Sequence, residues 1–151
     1  MNDFKLINIP VKRISQRMFD PIATNYGKSS WFDLRVKSNH ELKAGEFKLL
    51  ALNLAMNIPM GYEAIVIPRS STYKKFGIIM ANGIGLIDNS FCGDTDEWMF
   101  PAIAFRDTKI EAGKRIAQFR LIHEQDANTS FEYVSCLDQD DRGGFGSTGE
   151  D

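Results

Sequence analysis

Cysteine and histidine are scarce in this sequence, and it has no long apolar run. The only cysteines are Cys92 and Cys136, and the only histidines are His40 and His123. Two distant cysteines without a secretion signal favour reduced thiols, and two separated histidines do not suggest a zinc site. No stretch reaches the length of a membrane-spanning helix. We therefore expect a cytoplasmic protein with no membrane partner.

The sequence also lacks an excess of one charge. The net charge is -2 over 151 residues, with 43% hydrophobic and 25% charged residues. This balance predicts one ordinary globular domain and no direct binding of nucleic acid, which usually requires a basic surface. An anionic small molecule remains possible, because a local pocket can be basic on an acidic protein.

Short β-like runs separated by glycine and proline turns make up most of the chain. They are residues 47–54, Tyr62 to Ile67, Trp98 to Phe105 and Arg115 to His123. Strands at this spacing predict an all-β sandwich or barrel. Pro101 predicts an edge strand or a bulge in its run. Residues 69–76 predict a short helical turn after Pro68.

The last fourteen residues differ from the rest. Residues 138–151 are polar and glycine-rich, so we predict a single β domain over residues 1–137 followed by a flexible segment. Phe145 is a lone aromatic among glycines. The residues alone leave two interpretations: a disordered end, or a segment that closes over a ligand.

Three internal segments carry candidate functional groups. In 68–72, Arg69, Ser70 and Ser71 offer a guanidinium and hydroxyls at a helix start, which suits either anion binding or simple capping. Residues 81–94 predict a β-hairpin with bare backbone, in which Asp88 is either a base or a turn-initiating residue. In 113–119, a strand carries Gln118, which by itself is an ordinary polar residue.

Taken together and in this order, the segments resemble those of the trimeric, all-β dUTPase family. The five matching segments are Asp33-Leu34 after Ser30-Trp31-Phe32, then Pro68 to Ser71, Asn82 to Gly93, Gly113 to Gln118 and Gly143 to Gly149. The resemblance covers most of the chain, and the third and fifth segments are the most specific.

The resemblance implies a fold and a reaction. The implied fold is a jelly-roll-like β barrel of the β-clip type, assembled as a homotrimer with shared active sites. The implied reaction is hydrolysis of dUTP to dUMP and pyrophosphate with Mg²⁺. Asp88 would be the catalytic base that activates the attacking water. Asp33 would contact the metal through water.

The resemblance also implies the substrate-binding residues. Main-chain groups of the third segment would read the uracil edge, and Phe91 would pack under the deoxyribose. The remaining residues would hold the phosphates or close over the site. The implied substrate-binding set is Arg69, Ser70, Ser71, Asn82, Gly85, Leu86, Ile87, Phe91, Gln118, Arg142, Phe145, Gly146, Ser147 and Thr148.

Two other functions compete with this prediction. A dCTP deaminase would share the fold and the Pro68 to Ser71 segment. In that family, Pro-Gly and an acidic general base usually follow the position of Asp88. We cannot identify these residues in this sequence. The second alternative is a protein that binds a regulatory protein partner, with or without dUTP hydrolysis. The sequence assigns no role to Asp94 to Trp98.

Overall fold

The computed structural model describes residues 6–143, and this part of the chain is all-β, as predicted. It contains twelve strands and one five-residue helix. The strands are β1 Val11–Arg13, β2 Ile22–Ala23, β3 Phe32–Arg35, β4 His40–Leu42, β5 Phe47–Ala51, β6 Leu54–Met56, β7 Tyr62–Pro68, β8 Ile78–Met80, β9 Gly85–Ile87, β10 Met99–Ala104, β11 Thr108–Ile110 and β12 Arg115–His123. The helix, α1, spans Thr72–Phe76, within the predicted helical turn.

All strand pairs are antiparallel, and they form four small sheets around one core. The largest sheet has the order β2-β3-β12-β7-β9, and a second has the order β5-β10-β8. β1 pairs with β6, and β4 pairs with β11. Trp98, Phe100 and Phe119 are buried in the core, and the rings of Trp98 and Phe119 meet edge to face at 5.3 Å. Burial of such large rings contributes much of the stability of a domain this size.

Three strand predictions were wrong in detail. Pro101 lies in β10, which is the central strand of its sheet rather than an edge strand. Its carbonyl accepts a hydrogen bond from Ala81 N, just beyond the end of β8. Because the N and O of one residue face the same side of an antiparallel strand, the missing N–H falls past the end of β8 and costs no ladder bond.

Residues 81–94 do not form the predicted hairpin. β9 pairs with β7, with Ala64 opposite Ile87 and Val66 opposite Gly85, while β8 pairs with β10. A turn closed by Gly83 N and Met80 O separates β8 from β9 and sends them into different sheets. The segment therefore supplies an edge strand and a loop.

The predicted run 47–54 is divided by Asn53. β5 ends at Ala51 and β6 begins at Leu54. Asn53 is fully buried and has φ of +64°, a left-handed conformation that asparagine adopts more readily than most residues. Its side chain accepts from Ser15 N at 2.8 Å and donates to Ser15 O at 2.9 Å. These bonds stabilise the break.

Regular structure in the described residues ends at His123. The buried hydrophobic core ends earlier, at Phe119. Residues 124–143 contain neither helix nor strand, so the boundary between 137 and 138 stays a prediction. Between residues 6 and 143 no helix has the length and apolarity needed to cross a membrane.

Candidate active site

The third segment lines a cavity of about 440 Å³, which we call the β9 cavity. The structure brings six predicted site residues to it: Asn82, Gly85, Leu86, Ile87, Asp88 and Phe91. The other lining residues are Leu49, Val66, Ser90, Glu97, Trp98, Met99 and Pro101. The sequence prediction missed Glu97 and Trp98, because they lie in the connection for which no role was assigned.

The wall of the β9 cavity depends on a glycine. A Cβ on Gly85 would lie 3.2 Å from the Cβ of Val66 and 3.4 Å from its carbonyl oxygen, so a side chain here would be tightly packed and would require a small shift of β7. β9 is the outer strand of its sheet, and no other strand between residues 6 and 143 pairs with its free edge. Backbone groups at an open edge are free to hydrogen-bond a flat heterocycle.

Asp88 follows β9 directly and is exposed at the cavity. Its Oδ1 accepts hydrogen bonds from the backbone N–H of Ser90 at 2.8 Å and from the Ser90 hydroxyl. These bonds lower the pKa of Asp88 below its usual value, the hydroxyl bond having the larger effect. In the described residues Oδ2 has no partner. Asp88 therefore initiates a turn through one oxygen and leaves the other available to a water molecule.

A second group of predicted residues surrounds Asp33 on β3. Its side chain is 2% exposed and forms two ion pairs at 3.0 Å, from Oδ1 to Arg69 Nε and from Oδ2 to Arg115 Nη1. A buried carboxylate is stable when both oxygens are paired in this way. Two positive charges share one negative charge, so the cluster keeps a net positive charge for an anion.

The start of α1 adjoins this cluster. Ser71 occupies the N-cap position but makes no side-chain cap bond, and neither Ser70 nor Ser71 has a hydroxyl partner in the described residues. The anchor is Thr72, a buried residue that donates from its hydroxyl to Ile116 O at 2.8 Å and accepts from Arg69 N at 3.0 Å. The hydroxyls of Ser70 and Ser71 are therefore not used in capping α1. This leaves them available to bind an anion.

Gln118 lies on β12 opposite Asp33. Its Nε2 donates to Pro68 O at 3.3 Å, and the side chain is partly buried. The amide therefore ties β12 to the end of β7 beside Arg69. Its carbonyl oxygen and second amide hydrogen have no partner in the described residues.

A cavity of about 570 Å³ opens beside Arg69 and Arg115, and we call it the arginine cavity. Besides these two, its cationic residues are Arg35, Lys75 and Lys114, and its one acidic residue is Glu111. A cavity with this charge favours a phosphate-bearing ligand, since guanidinium groups bind phosphate in pairs of hydrogen bonds. The sequence prediction did not include Arg35. Its position two residues from Asp33, on the same face of β3, is the signal that could have identified it.

No three His, Cys, Asp or Glu side chains among residues 6–143 lie close enough together to hold a metal ion. Asp33 offers a single carboxylate whose oxygens both serve arginines. These residues therefore do not fit a Mg²⁺ site built from one chain alone. Mg²⁺ tends to bind substrate phosphates together with one or two carboxylates, so an ion here fits best as part of a metal–nucleotide complex.

The two groups of residues lie at opposite ends of the β7–β9 pair. Continuing the register by one residue places Asp88 opposite Glu63. Arg69 is six residues further along the chain, a separation of about 20 Å at the usual rise per residue. Asp88 and Arg69 of one chain are therefore too far apart to act on the same phosphate group.

Five predicted tail residues remain. Arg142 is exposed and has no hydrogen bond or ion pair within the described residues. Phe145, Gly146, Ser147 and Thr148 lie outside the described residues, so their assignment stays a prediction.

Sequence comparison finds close relatives of this chain. The profile of the dUTPase family matches residues 18–149. The SPbeta prophage-derived deoxyuridine 5'-triphosphate nucleotidohydrolase of Bacillus subtilis is 49% identical over 140 residues, which is 91% of this chain and 98% of that protein. The deoxyuridine 5'-triphosphate nucleotidohydrolase of a gamma-proteobacterium is 40% identical over 128 residues, covering 80% and 88% of the two chains.

Solved structures share the fold at low sequence identity. A mutant dUTPase of Staphylococcus bacteriophage 80alpha with dUpNHpp has a TM-score of 0.74 and 19% identity, over 94% of this chain and 98% of that one. A mutant dUTPase from phage phi11 of S. aureus, described as coordinating a structural Mg(II) ion, has a TM-score of 0.73 and 15% identity, over 87% and 99%.

Proposed function

This chain belongs to the dUTPase family and hydrolyses dUTP to dUMP and pyrophosphate, and we propose that Asp88 is the base of that reaction. The free Oδ2 of Asp88 orients a water molecule and takes its proton as the water attacks the α-phosphorus. The bonds from Ser90 hold the other oxygen, so the carboxylate has a fixed orientation. The observation that carries this assignment is the position of Asp88 at the rim of the β9 cavity.

The β9 cavity is proposed to bind the uracil and the deoxyribose. Main-chain groups of Gly85, Leu86 and Ile87 pair with the uracil edge, and Asn82 adds a polar side chain at the same wall. Phe91 packs against the sugar. A cytosine would present a donor where uracil presents an acceptor, and an unpaired buried group costs about 1–3 kcal/mol.

The opposite group of residues is proposed to bind the phosphates. Arg69 lies beside the unbonded hydroxyls of Ser70 and Ser71, and Gln118 adjoins them. Asp33 orients Arg69 and Arg115 through its two ion pairs, and because these pairs occupy both of its oxygens, its contact with Mg²⁺ through water stays a prediction from the resemblance. Mg²⁺ bound to the triphosphate would neutralise phosphate charge. Arg142, Phe145, Gly146, Ser147 and Thr148 are proposed to cover the bound nucleotide.

We place one active site between copies of the chain in a homotrimer. The distance of about 20 Å between Asp88 and Arg69 within one chain supports this arrangement, because only a neighbouring copy can bring the two groups together. An exposed apolar face on the β5-β10-β8 sheet gives further support. It contains Phe47, Leu49, Ile79 and Met99, and a face of this kind is typical of an interface.

The reaction is tested by supplying dUTP, dTTP, dCTP and UTP with Mg²⁺ and measuring release of pyrophosphate and of ammonia. We expect fast pyrophosphate release from dUTP alone, because the family resemblance implies a site selective for uracil and deoxyribose. Ammonia from dCTP would instead identify a deaminase. No product from any of the four would leave a binding protein as the explanation.

The shared site is tested by mixing two inactive variants. Asp88→Asn removes the base and Ser70→Ala removes a phosphate contact, so each homotrimer is expected to be nearly inactive. When the two are co-refolded in equal amounts, about a quarter of the sites combine an intact Asp88 from one copy with an intact Ser70 from another. Turnover should therefore recover to about a quarter of the wild-type value.

Separately refolded parents mixed without exchange are the control for this experiment. If both residues of a site came from one chain, co-refolding would produce no activity above that of the parents. Sedimentation of the wild-type protein checks the assembly independently, and a monomer with full activity would contradict the shared site.

A further inference from the structure

A partly buried ion pair joins Glu97, which lines the β9 cavity, to Lys37, which is not among the lining residues. Lys37 Nζ lies 3.1 Å from both carboxylate oxygens of Glu97, and Asn53 N donates to Glu97 Oε1 at 3.0 Å. The two side chains are only 20% and 11% exposed. In the described residues the Glu97 carboxylate thus accepts three hydrogen bonds, two from Lys37 and one from Asn53.

Glu97 is one of two carboxylates that line the β9 cavity, and the other is Asp88. None of the described residues lining this cavity is cationic. Uracil is neutral, but the nucleotide also carries negatively charged phosphates. A second unpaired carboxylate in this cavity would repel those phosphates. It would also compete with uracil for the polar groups that bind the base.

The neighbouring Trp98 fixes the backbone at Glu97. Its N–H donates to Leu54 O at 2.8 Å, and its carbonyl accepts from Leu52 N at 3.0 Å, but these bonds do not fix the direction of the Glu97 side chain. β10 begins two residues later, at Met99, and the backbone N–H of Glu97 bonds locally to Thr95 O. Asn53 contributes one bond and is itself held by Ser15. Lys37 contributes the only positive charge that pairs with Glu97 in the described residues.

We propose that Lys37 is a positioning residue that holds the Glu97 carboxylate at the wall of the β9 cavity and neutralises its charge, and so maintains the affinity of the cavity for the neutral nucleobase. Without Lys37 the carboxylate loses two of its three bonds. It then turns toward the water of the cavity it lines. This inference rests on the proposed function, because it takes the β9 cavity to be the uracil site.

The test compares Lys37→Met, Glu97→Gln and the double variant in the full-length protein. Lys37→Met should raise the KM for dUTP and the Kd for dUMP by about tenfold, since it leaves a partly buried carboxylate without its partner. The kcat should change less than about twofold, because Asp88 keeps its own bonds to Ser90. The double variant should restore both constants toward wild-type values, since a glutamine carries no charge to repel the nucleotide.

Two further variants control for folding and for charge. Lys37→Arg keeps the ion pair and should preserve nucleotide affinity. Lys43→Met breaks an exposed pair with Asp107, at 3.0 Å, that lies outside the β9 cavity, and it should leave affinity unchanged. A structural role alone would make the double variant at least as impaired as Lys37→Met.

An unchanged KM in Lys37→Met, or a double variant worse than Lys37→Met, would overturn the inference. These outcomes can be distinguished from failure of the proposed function. If the proposed function were wrong, the wild-type protein itself would show no dUTP hydrolysis and no dUMP binding.

Discussion

Asp88→Asn is expected to lower the kcat for dUTP by about 10²- to 10⁴-fold, the usual contribution of a general base. Asparagine has nearly the same shape and keeps an oxygen that accepts the bonds of Ser90. The amide does not take a proton from water. Binding of dUTP should change little, so a binding titration beside steady-state kinetics separates the two effects. A variant with near-normal turnover would remove Asp88 from the role of base.

Ser90→Ala is the matched control for that variant. Because the Ser90 hydroxyl lowers the pKa of Asp88, the wild-type carboxylate stays ionised, and the base functional, to a lower pH than an ordinary aspartate allows. Loss of the hydroxyl raises this pKa. The acid limb of the pH profile of kcat/KM, which reports ionisation of the free enzyme, should move to higher pH, while the rate at neutral pH should fall far less than in Asp88→Asn, because the Ser90 N–H still bonds to Oδ1. An acid limb that does not move would show that another group controls it.

Removal of residues 141–151 is expected to abolish most activity without unfolding the protein. The buried core of the described residues ends at Phe119 and residues 141–143 are exposed, so Tm should stay within about 2 °C of the wild-type value. The proposed cover over the nucleotide would be lost. Lids of this type position the substrate, and loss of positioning lowers rates by about 10²-fold.

A shorter truncation is the control for this deletion. Removing only Glu150 and Asp151 leaves the fifth resembling segment, Gly143 to Gly149, intact and should preserve activity. Calorimetry and dUTP kinetics on the three proteins give the answer. A long truncation that melts far below the wild type would show that the segment belongs to the folded domain.

Local sequence patterns were sufficient for the three longest strands. β7, β10 and β12 match the predicted runs within a residue or two, because each has β-forming residues between glycine or proline turns. The helical turn after Pro68 was also predicted. The candidate residues of the third segment were identified by resemblance, and they lie together because they are neighbours in sequence along β9 and its loop.

The remaining features depend on pairings that no local pattern contains. β8 ends at Met80, and this determines two of them. β9 is free to pair with β7, and Pro101 is tolerated in a central strand because its missing N–H lies beyond the end of β8. The same holds for Asn53, whose left-handed conformation depends on Ser15, far away in the chain.

The charged clusters show the difference most clearly. The sequence by itself determined an all-β chain with the family's five segments in order, and those segments include Asp33, Arg69 and Asp88. Only the tertiary structure decided that Asp33 pairs with Arg69 and Arg115, that Lys37 meets Glu97 from 60 positions away, and that Asp88 lies at the far end of a strand pair from Arg69. The physical reason is that ion pairs and cavities form between strands brought together by long-range sheet register, whereas sequence periodicity reports only which face of each strand is buried.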